Sequence, residues 1–429
     1  MRRIGVVAAL AAAGLALAAC SSGNSGSSGS SGTGTKASQV EVFTWWAAGS
    51  EKLALDAMVG VFNKQHPGVK FINGAVAGGA GSAAKDLLQT RLQAKNPPDT
   101  FQAHAGKEIA DYIAAGQLQD VSNLYDEFGL RNAFPAELLK LLTVDGKIYS
   151  VPSDIHRANM VWANPAVLTA AGLDPKATYP KLADWFTALD KVKASGKTAL
   201  SIATTWTQVQ LLENVLLSDL GSDKYIGLWD GKTAWTGSDV GAALADYGKL
   251  LSYTNTDRDG LDWPDATQQL IDGKAAFNVM GDWAVAAFTE QKKTAGKDYT
   301  YFPMPGTVGV FDFLADSFTL PVGAPHADGA KAWLQTIGSA AGQEAFNKIK
   351  GSIPARKDAN PKAFSEYQQT AIKSFGQDTI VPSLAHGAAV PIAVLTAISD
   401  AVSKFGTGSS NAATFQTELA AAVALGASK

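Results

Sequence analysis

One cysteine, Cys20, stands in a chain of 429 residues, which excludes an internal disulfide framework and a multi-thiolate zinc site. Basic charge shows no excess either. The chain has 36 Lys and Arg against 39 Asp and Glu, with no Arg-rich run, and nucleic acid is therefore not an expected partner. Beyond the first twenty residues there is no apolar run of about 18 residues, so no further segment reads as a membrane span. The five histidines form no His-Glu-x-x-His pair and no short ligand spacing. No Gly-x-Ser-x-Gly nucleophile elbow occurs. The loop Gly78-Gly79-Ala80-Gly81-Ser82 lacks both the Lys-Ser/Thr of a P-loop and the spacing of a dinucleotide fingerprint, and reads as a turn beside a ligand or as a plain loop. No metal and no cofactor are expected.

Cys20 closes a short leader. Arg2 and Arg3 supply a positive start, residues 4–16 are apolar or small, and Leu17-Ala18-Ala19-Cys20 resembles a lipobox, whose cysteine is acylated and becomes the new N-terminus. The apolar stretch is shorter than the ~20 residues that span a bilayer, so residues 1–19 read as a signal peptide. Ser21 to Ser38 is almost entirely Ser, Gly, Thr and Ala. Together with Cys20 this makes a flexible tether over 20–38, with a reach of roughly 25 Å. The expectation is an extracytoplasmic, lipid-anchored protein on a bacterial cell membrane.

The chain as a whole is 46% hydrophobic and 17% charged, enough to build a large core, and the length after the tether allows two or three domains. Val40 to Thr44 read as a strand. Leu55, Met58, Val59 and Phe62 mark a helical stripe, and Val69 to Ile72 form the next strand. A helix over Ala84 to Ala94 and a strand near Thr100 to Gln102 continue the alternation, which argues for an α/β sheet with parallel pairing. A second region opens near Tyr149 to Pro152, with a strand at Asn159 to Trp162 and helices at Pro165 to Ala171 and Lys181 to Ala194. Tyr299 to Pro305 reads as a crossing strand, Ser317 to Pro321 as a strand, and Gly329 to Lys348 as one helix. The last 75 or so residues read as mostly helical.

Ligands of such sheets gather beyond the carboxyl ends of the strands. The pair Trp45-Trp46 follows the first strand, and two indoles there suit stacking on the C–H face of a sugar, or else core packing. Trp206, Trp263 and Trp283 also sit at loops or element ends. Polar residues recur at comparable places: Glu51, Gln102, His104, His156, Arg157, Asn159, Asp316, Lys350 and His386. Such a mixture of donors, acceptors and one lysine fits a polyhydroxyl ligand, whose buried hydroxyls each need a partner. A glycoside hydrolase needs two carboxylates at a set separation; Glu51, Asp282 and Asp316 could supply them, but no acid/nucleophile motif is recognisable.

The segments Val42 to Trp46, Thr100 to Gly106, Ile155 to Asn159, Gly273 to Trp283, Ala315 to Pro321, Lys350 to Arg356 and Ala385 to Gly387 together resemble the glucose/galactose-binding proteins of bacterial ATP-binding-cassette sugar importers. The resemblance covers roughly residues 38–429. It implies an α/β, type II periplasmic-binding-protein-like fold with two lobes joined by hinge strands around a ligand cleft. One lobe would take 39–150 and 303–350, the other 151–302 and 351–429. It further implies a monosaccharide ligand (glucose, galactose or mannose), contacted by Trp45, Trp46, Glu51, Gln102, His104, Asn159, Trp263, Asp282, Trp283, Asp316, Lys350 and His386. The partners implied are the permease subunits of the importer, and the chain is expected to be a monomer and not an enzyme. A disaccharide or oligosaccharide ligand is the alternative. Two departures stand out: the loop from Trp46 to Glu51 is one residue longer than the resemblance leads one to expect, and Asp154 stands in place of an asparagine.

Overall fold

The computed structural model describes residues 39–78 and 81–427; the leader, Cys20 and the tether lie outside the described residues. Among the described residues, fifteen strands build three larger sheets and one small hairpin. The first strands are β1 (Gln39–Phe43), β2 (Lys70–Asn73) and β3 (Thr100–His104), followed by the hairpin β4 (Thr143–Val144) and β5 (Lys147–Ile148). Next come β6 (Ser150–Pro152), β7 (Asp154–Arg157), β8 (Met160–Ala163), β9 (Thr198–Ser201) and β10 (Ala275–Val279). The last are β11 (Thr300–Pro303), β12 (Val310–Leu314), β13 (Asp316–Thr319), β14 (Ile353–Pro354) and β15 (Thr379–Pro382).

The first sheet runs β2-β1-β3-β13-β6. Its first three strands are parallel, as the strand–helix alternation predicts, and β13 lies antiparallel to both β3 and β6. A second sheet runs β11-β8-β10-β9 and a third β14-β7-β12-β15. Two hydrophobic clusters centre on different sheets and both extend to the third. One gathers Val42, Leu55, Phe62, Phe101 and Trp333 about the first sheet; the other gathers Trp185, Leu212, Tyr247 and Phe277 about the second. Each such side chain, fully buried, contributes ~1.5–3 kcal/mol. Among the described residues no helix is long and apolar enough to cross a membrane.

Two stretches pass from the first sheet into the third with a single residue between strands. Ser153 separates β6 from β7, and Ala315 separates β12 from β13. The stretches pair with each other on both sides of that break, and the Ser153 amide donates to the Asp316 carbonyl at 2.9 Å. Tyr299 to Pro305, expected to cross, instead supplies β11 at the edge of the second sheet, antiparallel to β8. Proline cannot donate to a ladder on both sides, which confines such a segment to an edge. The helix expected over Gly329 to Lys348 is two helices, Ala327–Gly338 and Ala340–Lys350. Ser339 between them adopts extended angles, and its hydroxyl caps the second helix by accepting from the Gly342 amide at 3.0 Å.

Candidate functional site

Strands β1 and β3 are parallel neighbours, so their carboxyl ends deliver the residues that follow them to the same edge. The turn after β1 separates the two tryptophans. Trp45 faces a cavity, whereas Trp46 is fully buried against Phe318 (5.5 Å between rings) and Phe346 (4.5 Å). The Trp45 ring lies 4.9 Å from that of His104, and Gly81 closes over it. At Gly81 the backbone takes φ +87°, and a Cβ there would meet the indole at 2.7 Å. Only glycine permits both that conformation and that approach.

The cavity is lined by Trp45, Glu51, His104, His156, Trp206, Trp263, Trp283, Leu314, Asp316, Lys350 and His386, with a free volume of about 30 Å³. Its polar groups arrive from several elements. Glu51 stands in the first turn of the helix Gly49–Gln65, and despite the longer loop before it reaches Lys350, whose Nζ donates to Glu51 Oε1 at 2.6 Å. Lys350 ends the helix Ala340–Lys350, which Gly351 terminates at φ +87°. Asp316 opens β13 directly opposite His104 of β3. Trp263 begins the helix Trp263–Ile271, whose capping box is Asp262 with Asp265. Trp283 precedes the helix Ala284–Glu290, and a Cβ on Gly281 would fall 2.1 Å from its ring.

Charge is organised around three imidazoles. His104 Nδ1 lies 2.8 Å from Glu108 Oε2, which also takes Lys85 Nζ at 2.8 Å. Burial pushes the Glu108 carboxyl up, but Lys85 and His104 outweigh it and hold it at about 2. His156 is clamped between carboxylates: Asp282 accepts from Nδ1, and Asp154 Oδ2 lies 3.0 Å from Nε2. The second contact is close in distance but outside good hydrogen-bond geometry, an ion pair more than a directed bond. Burial lowers the His156 imidazole, yet Asp282 and Asp154 together raise it to about 9. Asp282 also accepts from the Arg157 amide at 3.1 Å and the Tyr367 hydroxyl at 3.3 Å. Burial first, then Asp154, pushes the Asp316 carboxyl up to about 6 against the pull of His104, His156 and Lys350. His386 is driven well below its ordinary value by burial and by His104, Lys85, His156 and Lys350, so its ring is neutral.

Asp154, His156 and Asp316 place ligand atoms within 4.8 Å of one another, a grouping that could hold a metal ion. A metal needs the neutral imidazole, and the two carboxylates flanking His156 keep it protonated through neutral pH. Asp154 therefore neither faces water nor stands free; it is buried, accepts from Ser153 Oγ at 2.6 Å and neutralises His156.

Of the residues proposed from the sequence, Trp45, Glu51, His104, Trp263, Trp283, Asp316, Lys350 and His386 are brought together at the cavity wall. Trp46, Gln102, Asn159 and Asp282 are not among the lining residues. Trp46 is core. Gln102 stands one layer behind, donating to Asp316 Oδ1 at 2.7 Å and accepting from Thr44 Oγ1 and the Trp45 amide. Asp282 is the support of His156. Asn159 spends its amide inside the protein: it accepts from Arg157 Nε (3.0 Å) and the Asp312 amide (3.2 Å), and donates to Thr307 Oγ1 (2.9 Å) and the Val310 carbonyl (3.0 Å). The lining also takes His156 and Trp206, both candidates at element ends in the sequence though outside the set the resemblance implies, and Leu314, which is new. Strand alternation carries a signal for the first, because His156 shares a face of β7 with Asp154. Trp206 lies in the first turn of the helix Thr205–Asp230, a position like that of Trp263.

The profile of the bacterial extracellular solute-binding protein family matches residues 46–344. The chain belongs to that family. This solute-binding protein is 36% identical over 380 residues to an uncharacterised ABC transporter extracellular-binding protein of Pyrococcus horikoshii, a match covering 87% of this chain and 85% of the relative. It is 34% identical over 395 residues to a probable sugar-binding periplasmic protein of Rhizobium meliloti, covering 90% and 94%. Among solved structures, a chitin oligosaccharide binding protein superposes with a TM-score of 0.80 at 19% identity, covering 91% of this chain and 99% of that one. The fold is thus that of the type II, maltose-binding-like solute-binding proteins.

Proposed function

We propose that this solute-binding protein captures a monosaccharide, glucose or a close epimer, and delivers it to the permease of an ATP-binding-cassette importer. In this reading Cys20 carries the lipid that holds the chain at the outer face of the cell membrane, and 21–38 form the tether. Residues 39–150 and 303–350 make one lobe and 151–302 and 351–429 the other, except that β12, paired with β7 and β15, goes with the second, and the stretches on either side of Ser153 and Ala315 are the hinge strands. The importer relatives and the likeness to sugar-binding proteins support the class of ligand and partner.

The observation that carries the reading is the cavity itself: four indoles and a set of buried acids, imidazoles and one ammonium converge on one small space. Indole faces suit the C–H faces of a pyranose, and buried polar groups suit its hydroxyls, each of which costs ~1–3 kcal/mol if left unpaired. The cavity is narrow, with a free volume of about 30 Å³, and walls that parted to admit a hexose would enclose it on returning. Enclosure is also what affinity demands. With about twelve heavy atoms, a hexose bound at micromolar strength needs roughly −0.7 kcal/mol per atom, which favours contact on all sides. The same confinement disfavours a chain of several sugars. Native mass spectrometry of the purified protein tests the reading: a retained mass of one hexose is expected, and a retained oligosaccharide would replace the monosaccharide assignment.

A further inference from the structure

Behind the cavity wall lies a pair of buried acids that the ligand site does not use. Glu213, on the helix Thr205–Asp230, and Asp312, on β12, are both fully buried. Burial and the Glu213 charge raise the Asp312 carboxyl well above its ordinary range, so the pair holds a proton. Glu213 also accepts from Ser383 Oγ at 3.1 and 3.0 Å and from the Ala385 amide at 2.9 Å. Ser383 is fixed in turn by its own amide, which donates to the Phe313 carbonyl at 2.8 Å. Its hydroxyl lies 2.9 Å from Nδ1 of His386, a residue of the cavity wall.

We infer that Ser383, held by Glu213, fixes the His386 proton on Nδ1 and thereby makes Nε2 a hydrogen-bond acceptor for the ligand. The polarity follows link by link. Burial raises both carboxyls, Glu213 to about 7 and Asp312 well above its ordinary range, with Arg157 pulling Asp312 back. The proton of the pair therefore rests on Asp312. Glu213 is left with acceptor oxygens only, and the Ser383 hydroxyl must give its single hydrogen to them. What Ser383 has left for His386 is a lone pair, so Nδ1 must carry the hydrogen. A neutral imidazole has one N–H, and His386 is neutral because burial and the surrounding His104, Lys85, His156 and Lys350 disfavour a second proton. Nε2 then accepts. Ser383 and Glu213 are positioning residues that touch no ligand. They add a neutral acceptor to a cavity wall that also carries Lys350, Glu51 and Asp316, and so require a hydroxyl hydrogen directed at His386. The tautomer rests on the contacts of Ser383 with Glu213 and His386 together with the directions in which burial shifts these groups; its use by a sugar hydroxyl rests on the sugar-binding reading.

The test is a long-range ¹H–¹⁵N correlation spectrum of the sugar-free chain labelled with ¹⁵N-histidine, the His386 signals being those lost in His386→Gln. The wild type is expected as the Nδ1–H tautomer. Ser383→Ala and Glu213→Leu are each expected to release it into a mixture, and Ser383→Thr, which keeps the hydroxyl, to retain it. Calorimetry with D-glucose should give about tenfold weaker binding for Ser383→Ala and near wild-type binding for Ser383→Thr. An Nε2–H tautomer in the wild type, or an Nδ1–H tautomer that survives both Ser383→Ala and Glu213→Leu, would overturn the inference. A tautomer that responds as expected in a protein that binds no glucose leaves the relay standing and removes the sugar reading instead.

Discussion

Replacing His156 by glutamine should change how stability depends on pH, and the size of the change follows from the clamp. In the folded protein the imidazole is raised to about 9 by Asp282 and Asp154, against an ordinary value of 6.5. A group raised on folding stabilises fully below its unfolded value and loses that contribution as pH climbs to the folded one. Here the window is from 6.5 to about 9, and the shift corresponds to ~3 kcal/mol of stability lost across it. Asp316, held near 6 partly by His156, will respond to the same substitution, so the part of the window above pH 7 is the cleaner one. Urea unfolding of wild type and His156→Gln at half-unit steps from pH 6 to 9.5 gives the comparison. The wild type should lose ~3 kcal/mol relative to the variant as pH rises. A difference that stays flat would mean that His156 is neutral in the folded protein, and the ion-pair account of Asp154 would fall with it.

The remaining expectations are more local. Trp45→Ala and Lys350→Ala should each weaken hexose binding by ~1–3 kcal/mol in calorimetry, through a lost stacking face and a lost charge-assisted donor; wild-type affinity in both would remove them from the site. Trp46→Ala, by contrast, should cost ~3–5 kcal/mol of folding stability in denaturant, since the buried ring packs against Phe318 and Phe346, and should touch affinity less than Trp45→Ala because it reaches the cavity only through the Lys350 ammonium 5.9 Å over its ring. Asn159→Ala should act on stability for the same reason, at ~1–3 kcal/mol, because it orphans buried partners on both sides of the crossing strands. Cys20→Ala should move the protein from the membrane to the soluble fraction after a salt wash; retention would refute the lipid anchor.

Much of this architecture is written in local pattern. The alternation around Val40 to Thr44, the helical stripe at Leu55 to Phe62 and the next strand are carried by periodicity, and they place Trp45 and His104 at adjoining strand ends. What periodicity does not carry is the direction of a polar side chain. Gln102 and His104 lie on one face of β3, yet the first turns to Asp316 behind the wall while the second reaches the cavity. Asn159 looks like a ligand group in sequence and is one by chemistry, but its partners come from residues about 150 positions away, which local pattern does not bring together. The same holds for the expected crossing strand at Tyr299 to Pro305. Its composition specifies an extended edge segment, whereas crossing falls to the stretches around Ser153 and Ala315, whose breaks are single residues. Trp206 was visible among the tryptophans at element ends but had no strand end to mark it, because its place at the cavity depends on where the helix Thr205–Asp230 docks.

The central claim is that one hexose is enclosed among these side chains. Trp45, Trp206, Trp263 and Trp283 all line the cavity, so an enclosed sugar must alter indole emission. Fluorescence titration of the sugar-stripped protein with D-glucose and with maltose tests this most directly. The account predicts a saturable change with glucose at micromolar concentration and far weaker binding of maltose. Tighter binding of maltose than of glucose, or saturable binding of neither, would contradict it.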